Sequence, residues 1–313
     1  MTDAHTTMPF NMEKLTDEAR AAAAAATPAV RQRLIETLIY PSPLFKDGNT
    51  FIGNFHRPVN GGLHGTGKIG GLLGPSRVGK SAICSFYRSH HPGRTDDEGE
   101  IYPVVYFQAS DDMTPRTMVE RICDATGARS LPQMKVSALI DNCIQRLVRA
   151  RTELLIIDDA QFMFMGRRTD QVRSFKSFIK LASDSKAFNV LLVGEEVIGD
   201  VIEAVDYLVG RGGFPSKRLL PLGDTTKEFE QFTLMLEGID NRLPFVMKSG
   251  LADPKITSDI HRYSGGLIGR VMNLVQAAAF EAINAGTSKI MIEHLRSAAT
   301  MLVSANDSYA YFR

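Results

Sequence analysis

The chain has 313 residues, enough at roughly 150 per domain for about two domains or for one with a large appendage. Hydrophobic residues make up 44% and charged residues 23%, which excludes a disordered or collagen-like chain. Lysine plus arginine number 36 against 35 acidic residues, a net charge of +1, so a histone-like polycation is excluded while a local basic stripe is not. Cys84, Cys123 and Cys143 are the only cysteines and show no CxxC spacing, which argues against a disulfide framework or a zinc site and for a reducing compartment. No run reaches the roughly 18 apolar residues of a membrane span, and the first residues lack the apolar core of a signal peptide. A cytoplasmic protein without membrane contact is expected.

In chain order, a helix is predicted over 13–26 from the alanine run at 21–26. A second follows over 28–39, where Val30, Leu34, Ile35 and Leu38 recur at helical spacing behind Pro28. Tyr40-Pro41-Ser42-Pro43 ends it, and 46–68, rich in Gly, Asn and His, reads as a loop. From Ile69 the pattern changes to short apolar runs at 69–73, 102–107, 154–157, 190–193 and 218–222, separated by segments long enough for crossover helices. Near-continuous Val/Ile/Leu runs of this kind predict a parallel sheet covered on both faces. After Asp224 only helical patterns remain, near 226–237, 255–263, 266–285 and 290–304. The expected organisation is an N-terminal helical extension over 1–45, an α/β core over 46–223 and a small all-helical domain over 224–313.

Gly74-Pro75-Ser76-Arg77-Val78-Gly79-Lys80-Ser81, followed by Ala82, matches G-x-x-x-x-G-K-[ST] between a predicted strand and a helical run. Its glycines let backbone N–H groups turn inward around phosphate oxygens at a helix N-terminus, which favours anions. Lys80 would neutralise β/γ-phosphate charge and Ser81 would offer its hydroxyl to Mg²⁺. The run Leu154-Leu155-Ile156-Ile157 ends in Asp158 and Asp159. Asp158 suits the metal shell, and Asp159 suits a general base acting on the attacking water. Together the motifs predict a site for ATP and Mg²⁺.

These residues resemble the AAA+ ATPases, and within them the TniB/TnsC family of transposition regulators, related to MuB and IstB. The resemblance runs over about residues 30–303 through Gly74–Ser81, Ile156 to Gln161, the helical segment from Gln171 to Leu181, and Val190 to Gly194. It is most specific in Ser264-Gly265-Gly266-Leu267-Ile268-Gly269-Arg270. It implies a P-loop NTPase core with a five-stranded parallel sheet and a small helical C-terminal lid. It further implies a slow, DNA-stimulated ATPase that assembles as a ring or helical filament on double-stranded DNA and recruits a transposase, with a target-selector protein as a further partner. By the same resemblance Arg270 is a sensor of the phosphates, Arg218 the finger offered to a neighbouring subunit with Arg211 as second choice, and Tyr40 with Pro41 an adenine contact. Candidates for DNA phosphates are Arg167, Arg168, Arg173, Lys176 and Lys180; Arg146, Arg149 and Arg151; and Arg116, Arg129 and Lys135. Two positions depart from the family pattern: Asp159 stands for the usual glutamate, which implies slow hydrolysis, and Glu195 stands at a position normally Thr or Asn. The alternatives are a helicase-loader or initiator-type ATPase, a metabolic P-loop kinase, and a nucleotide-binding scaffold with little turnover.

Overall fold

The structure, a computed structural model, describes residues 10–127, 134–209, 212–303 and 306–313. The chain divides into two compact units: one comprises 46–76 and 80–220, the other 1–45, 77–79 and 221–313. Arg129 and Arg211 lie outside the described residues.

In chain order the elements are α1 (Asp17–Ala25), α2 (Pro28–Glu36), α3 (Pro43–His56), β1 (Ile69–Leu73), α4 (Lys80–Ser89), β2 (Arg94–Asp96) and β3 (Gly99–Ile101). Next come β4 (Val104–Gln108), α5 (Pro115–Ala125), α6 (Val136–Arg149), β5 (Leu154–Asp158), α7 (Thr169–Asp184) and β6 (Asn189–Gly194). The chain continues with α8 (Val197–Glu203), α9 (Asp206–Val209), β7 (Ser216–Arg218), α10 (Thr226–Asp240), α11 (Pro254–Ser264), α12 (Ile268–Asn284) and α13 (Ile292–Leu302).

Five strands form one parallel sheet in the order β4-β5-β6-β1-β7. β1, β5 and β6 are buried along their whole length, because helices cover both faces and leave no solvent side for an alternating pattern. After β1 the chain crosses to the far edge, returns through β5 and β6, and then places β7 on the other side of β1. Such a reversal opens a crevice at the carboxyl ends of the strands, where open α/β sheets bind ligands.

Two sequence expectations need correction, and one element was not anticipated. Residues 46–56, read as loop, belong to α3. A Cβ at Gly48 would lie 2.8 Å from Ile83 Cδ1, so this helix accepts a poor helix former in return for close packing, and tertiary contact overrides propensity. The last strand is Ser216–Arg218 rather than 218–222; it is an edge strand and carries polar residues, while the buried Leu219 lies just past it. The polar stretch 94–101 forms the β2–β3 hairpin, with Gly99 at φ +129°.

In the second unit α10 to α13 bury Phe232, Leu236, Leu274, Val275, Ala278 and Leu295, joined by Ile35 and Leu38. Arg20 is buried and donates to the carbonyls of Asp240, Leu243 and Phe245, a cation placed on the carbonyls that a helix C-terminus leaves without partners. The glycine-rich stretch between α11 and α12 has a steric origin: a Cβ at Gly266 would fall 1.8 Å from the Leu222 carbonyl oxygen. Among the described residues no helix is long and apolar enough to cross a membrane.

At the amino end of β5 the fully buried His56 bonds to Tyr87 Oη and Glu153 Oε2, both at 2.9 Å. Arg57 also holds Glu153, and His91 lies 5.3 Å away, ring centre to ring centre. Burial brings the His56 pKa down to about 4 against the pull of Glu153. Below pH about 6.5 the unfolded chain therefore takes up a proton that the native imidazole refuses, and stability falls with pH by up to about 1.4 kcal/mol per unit. Urea denaturation at pH 7, 6 and 5 should show this decline, and His56→Gln should flatten it; an unchanged slope in that variant would remove His56 as its source.

Candidate functional site

The glycine-rich loop leaves the carboxyl end of β1, where Gly74 N donates to the Gly194 carbonyl at 3.0 Å and so fixes the start of the loop against β6. At its crest Arg77 has φ +68° and Gly79 φ +104°, on either side of Val78, and alternation of left-handed with ordinary backbone is the kind of geometry that forms anion-binding concavities. Lys80 opens α4. Its Nζ donates to the carbonyls of Gly74 and Pro75, both at 2.8 Å. Burial lowers its pKa, while Asp158, Asp159 and Glu195 act the other way. The nearby carboxylates favour the ammonium form and partly offset the burial that disfavours it.

Asp158 ends β5 and is fully buried. Burial raises its pKa, against hydrogen bonds from the Ser81 and Tyr106 hydroxyls. Tyr106 Oη donates to Oδ2 at 2.8 Å, and Asp159 N donates to Oδ1 at 2.9 Å. The Ser81 hydroxyl and the Asp158 carboxylate, two oxygen donors from the ends of α4 and β5, fit the coordination chemistry of Mg²⁺, a hard cation that keeps several waters and takes few protein ligands. No group of three or more His, Cys, Asp or Glu able to hold a metal occurs among the described residues.

Asp159 has φ +50°, a left-handed conformation uncommon outside glycine that clusters at functional sites. Its Oδ2 accepts from Gln108 Nε2 at 2.7 Å and its Oδ1 from Gln161 Nε2 at 3.2 Å. The Gln161 amide oxygen in turn accepts from Glu195 N at 3.3 Å. A Cβ at Gly194 would lie 2.0 Å from that oxygen, which accounts for the glycine ending β6. Gln108 and Tyr106 were missed in the sequence. Their signal was there: they are the two polar-tipped side chains, two residues apart, at the carboxyl end of the otherwise apolar strand Val-Val-Tyr-Phe-Gln.

The structure thus brings Gly74, Pro75, Ser76, Lys80, Ser81, Asp158 and Asp159 to one end of the first unit, and Ala82 follows on α4. Arg77, Val78 and Gly79 group with the second unit, where Gly269 N donates to the Arg77 carbonyl at 2.8 Å. Arg270, exposed on α12, stands 5.7 Å from the Tyr263 ring centre. The Tyr40 ring fills the space over Gly238 and lies beneath the Arg242 guanidinium, 5.3 Å away. Arg218 is exposed on the edge strand, 3.8 Å from Glu196.

The basic candidates separate by what they touch. Arg167 donates to the Phe162 and Ser110 carbonyls at 2.8 and 2.6 Å, and with Arg121, which bonds to the Gln108 carbonyl and Ser110 Oγ, it pins the loop after β4. Arg146 bonds to Thr126, and Arg151 pairs with Asp96 and Glu98. Arg116 pairs with Glu120, Arg168 with Asp170 and Lys180 with Asp184. Lys135, Arg149 and Arg173 are exposed, and Lys176 is half-buried.

Residues 69–211 match the family described as "Bacterial TniB protein". No curated protein sequence matches the chain. Among solved structures it is similar to the ORC2 protein of Aeropyrum pernix in ADPNP–ADP complexes, with TM-score 0.56 and 13% identity over 83% of this chain and 68% of that one. It is also similar to Cdc6p from Pyrobaculum aerophilum (TM-score 0.53, 15% identity, 84% and 67%) and to Drosophila ORC bound to DNA (0.51, 14%, 97% and 71%). At these identities the structural similarity is one of fold. The parallel five-stranded sheet with its helical C-terminal region is an AAA+ fold, and within it residues 69–211 are similar to the TniB family.

Proposed function

We propose that this protein is an ATP-dependent switch in DNA transposition: it assembles on double-stranded DNA with ATP between subunits, recruits a transposase in that state, and disassembles on hydrolysis. The observation that carries the reading is the meeting of Lys80, Ser81 and Asp158 at the carboxyl end of a sheet whose sequence matches TniB. ATP with Mg²⁺ would supply an anhydride whose charge the cation partly neutralises. Backbone N–H groups of Gly74–Ser81 would hold the phosphates, Lys80 would balance their charge, and Ser81 with Asp158 would hold the metal. Asp159 would orient the attacking water and take its proton. Arg270 would sense the phosphates from the lid, Tyr40 would contact adenine, and Arg218 would reach the site of a neighbouring subunit. Residues 1–45, 46–223 and 224–313 would act as extension, core and lid. Nucleotide complexes of the Aeropyrum protein and the DNA complex of the Drosophila one support an AAA+ protein that handles both ligands.

Contacts to DNA would be to the phosphate backbone, which positions without reading sequence and so tolerates many targets. Arg173 and Lys176 on α7 and Lys135 before α6 are the favoured residues, since Arg116, Arg167 and Arg168 have protein partners to leave or share. A target-selector protein and a cytoplasmic location complete the reading. One observation favours a second: both Asp159 oxygens are held by amides, as suits a scaffold that binds nucleotide and barely turns it over.

ATPase rate measured against protein concentration, with and without duplex DNA, should rise steeply with concentration and further with DNA. Phosphoryl transfer to a metabolite, independent of both, would replace the switch by a kinase. Asp159→Ala should bind nucleotide as the parent does yet hydrolyse at least about tenfold more slowly. Gln108→Ala, which frees one oxygen of that base, should raise hydrolysis in the absence of DNA several-fold; equal rates in parent and both variants would support the scaffold. Arg218→Ala subunits should regain hydrolysis when mixed with subunits that carry Arg218 but have Lys80→Ala, and no regain would remove Arg218 as the finger.

A further inference from the structure

β4 carries two side chains to the paired aspartates. Residues two apart on a strand share a face, and the pairing sets Tyr106 opposite Ile156 and Gln108 opposite Asp158. Gln108 thereby reaches Asp159, and Tyr106 reaches Asp158. Near Tyr106 stands Ser85, whose hydroxyl favours the ionised phenol against the burial that disfavours it. Ser85 lies four residues after Ser81 on α4, so one helix face serves Asp158 twice, directly through Ser81 and indirectly through Ser85 and Tyr106.

The terminal torsion of an aspartate is broad and weakly restrained by itself. In Asp158 the Asp159 N–H holds one oxygen and the Tyr106 hydroxyl holds the other, which fixes the plane of the carboxylate. Mg²⁺ demands near-ideal octahedral geometry and tolerates misplaced ligands poorly. We propose that Tyr106, backed by Ser85, is a positioning residue that sets the metal dependence of nucleotide binding by holding the Asp158 carboxylate in place. The proposal rests on reading the site as one for Mg²⁺ and ATP.

The test titrates a fluorescent ATP analogue into the full chain, once with Mg²⁺ and once with EDTA. The parent should bind more tightly with Mg²⁺. Tyr106→Phe keeps the ring and removes only the hydroxyl; its affinity in EDTA should stay within about twofold of the parent while the gain from Mg²⁺ falls about tenfold, the scale of a hydrogen bond to a charged group. Ser85→Ala should show the same signature at about threefold, and carries the test if the Phe variant lacks a cooperative melting transition. A Mg²⁺ gain equal to the parent's would overturn the proposal. So would equal weakening with and without Mg²⁺, which is what mere packing predicts. Absence of any binding by the parent is a separate outcome that sinks the nucleotide reading itself, and this proposal with it.

Discussion

An anion removed from water must be surrounded by donors or opposite charge, or it takes a proton. Asp158 meets that demand with the Ser81 and Tyr106 hydroxyls, the Asp159 N–H and the ammonium of Lys80 nearby. They come from three pieces of chain: the start of α4, the middle of β4 and the turn after β5. None of these pieces is adjacent in sequence. What aligns them is the parallel register of the sheet, Phe107 against Ile157 and Gln108 against Asp158. A slip of one residue would turn Tyr106 and Gln108 to the opposite face and leave both carboxylates without them. The apolar strands therefore do more than form a core, because their register is what keeps a buried charge solvated by protein.

The same geometry gives Asp158 and Asp159 different characters although they are neighbours. Asp158 sits inside the strand, fully buried and held by hydroxyls. Asp159 follows at φ +50°, a bend that ends the strand and directs the second carboxylate toward two amides instead. Amide donors at 2.7 and 3.2 Å satisfy that carboxylate while leaving it beside solvent. One carboxylate is thus fixed in place, and the other can change partners when Gln108 or Gln161 moves. Because Gln161 also accepts from Glu195 N, the ends of β5 and β6 share one amide, and displacement of either is felt by Asp159.

Much of the fold was legible because strands buried on both faces must be apolar throughout, as Leu154 to Ile157 and Val190 to Val193 are. The loop motif was legible for a different reason: glycines at that spacing mark the tight passage from β1 into α4, with positive φ at Gly74 and Gly79. What escaped was structure decided by tertiary contact. α3 contains Gly48, Asn49, Gly53 and Asn54, poor helix formers, and of these Gly48 follows from close approach to Ile83 rather than from local preference. The β2–β3 hairpin has no apolar face to betray it. Tyr106 and Gln108 escaped because a phenol or an amide within a strand looks like a tolerated substitution until the neighbouring strand shows what its tip touches. The basic residues were the least legible group, since Arg146, Arg151 and Arg167 carry the same charge as Arg173 but are engaged with Thr126, Asp96 and Ser110.

The shorter carboxylate at 159 follows from these contacts. An aspartate in a left-handed bend places its oxygens close to its own backbone, within reach of side chains from β4 and from the turn that follows β5, and both oxygens find partners there. A glutamate at the same position would carry its oxygens one methylene farther from the Gln108 and Gln161 amides that the strands hold in fixed register. The short side chain and the two amides therefore belong together: each makes sense of the other, and both restrain the carboxylate. On the proposed reading that restraint lengthens the interval between ATP binding and hydrolysis, and a protein that must remain assembled while a second protein finds it gains function from the delay.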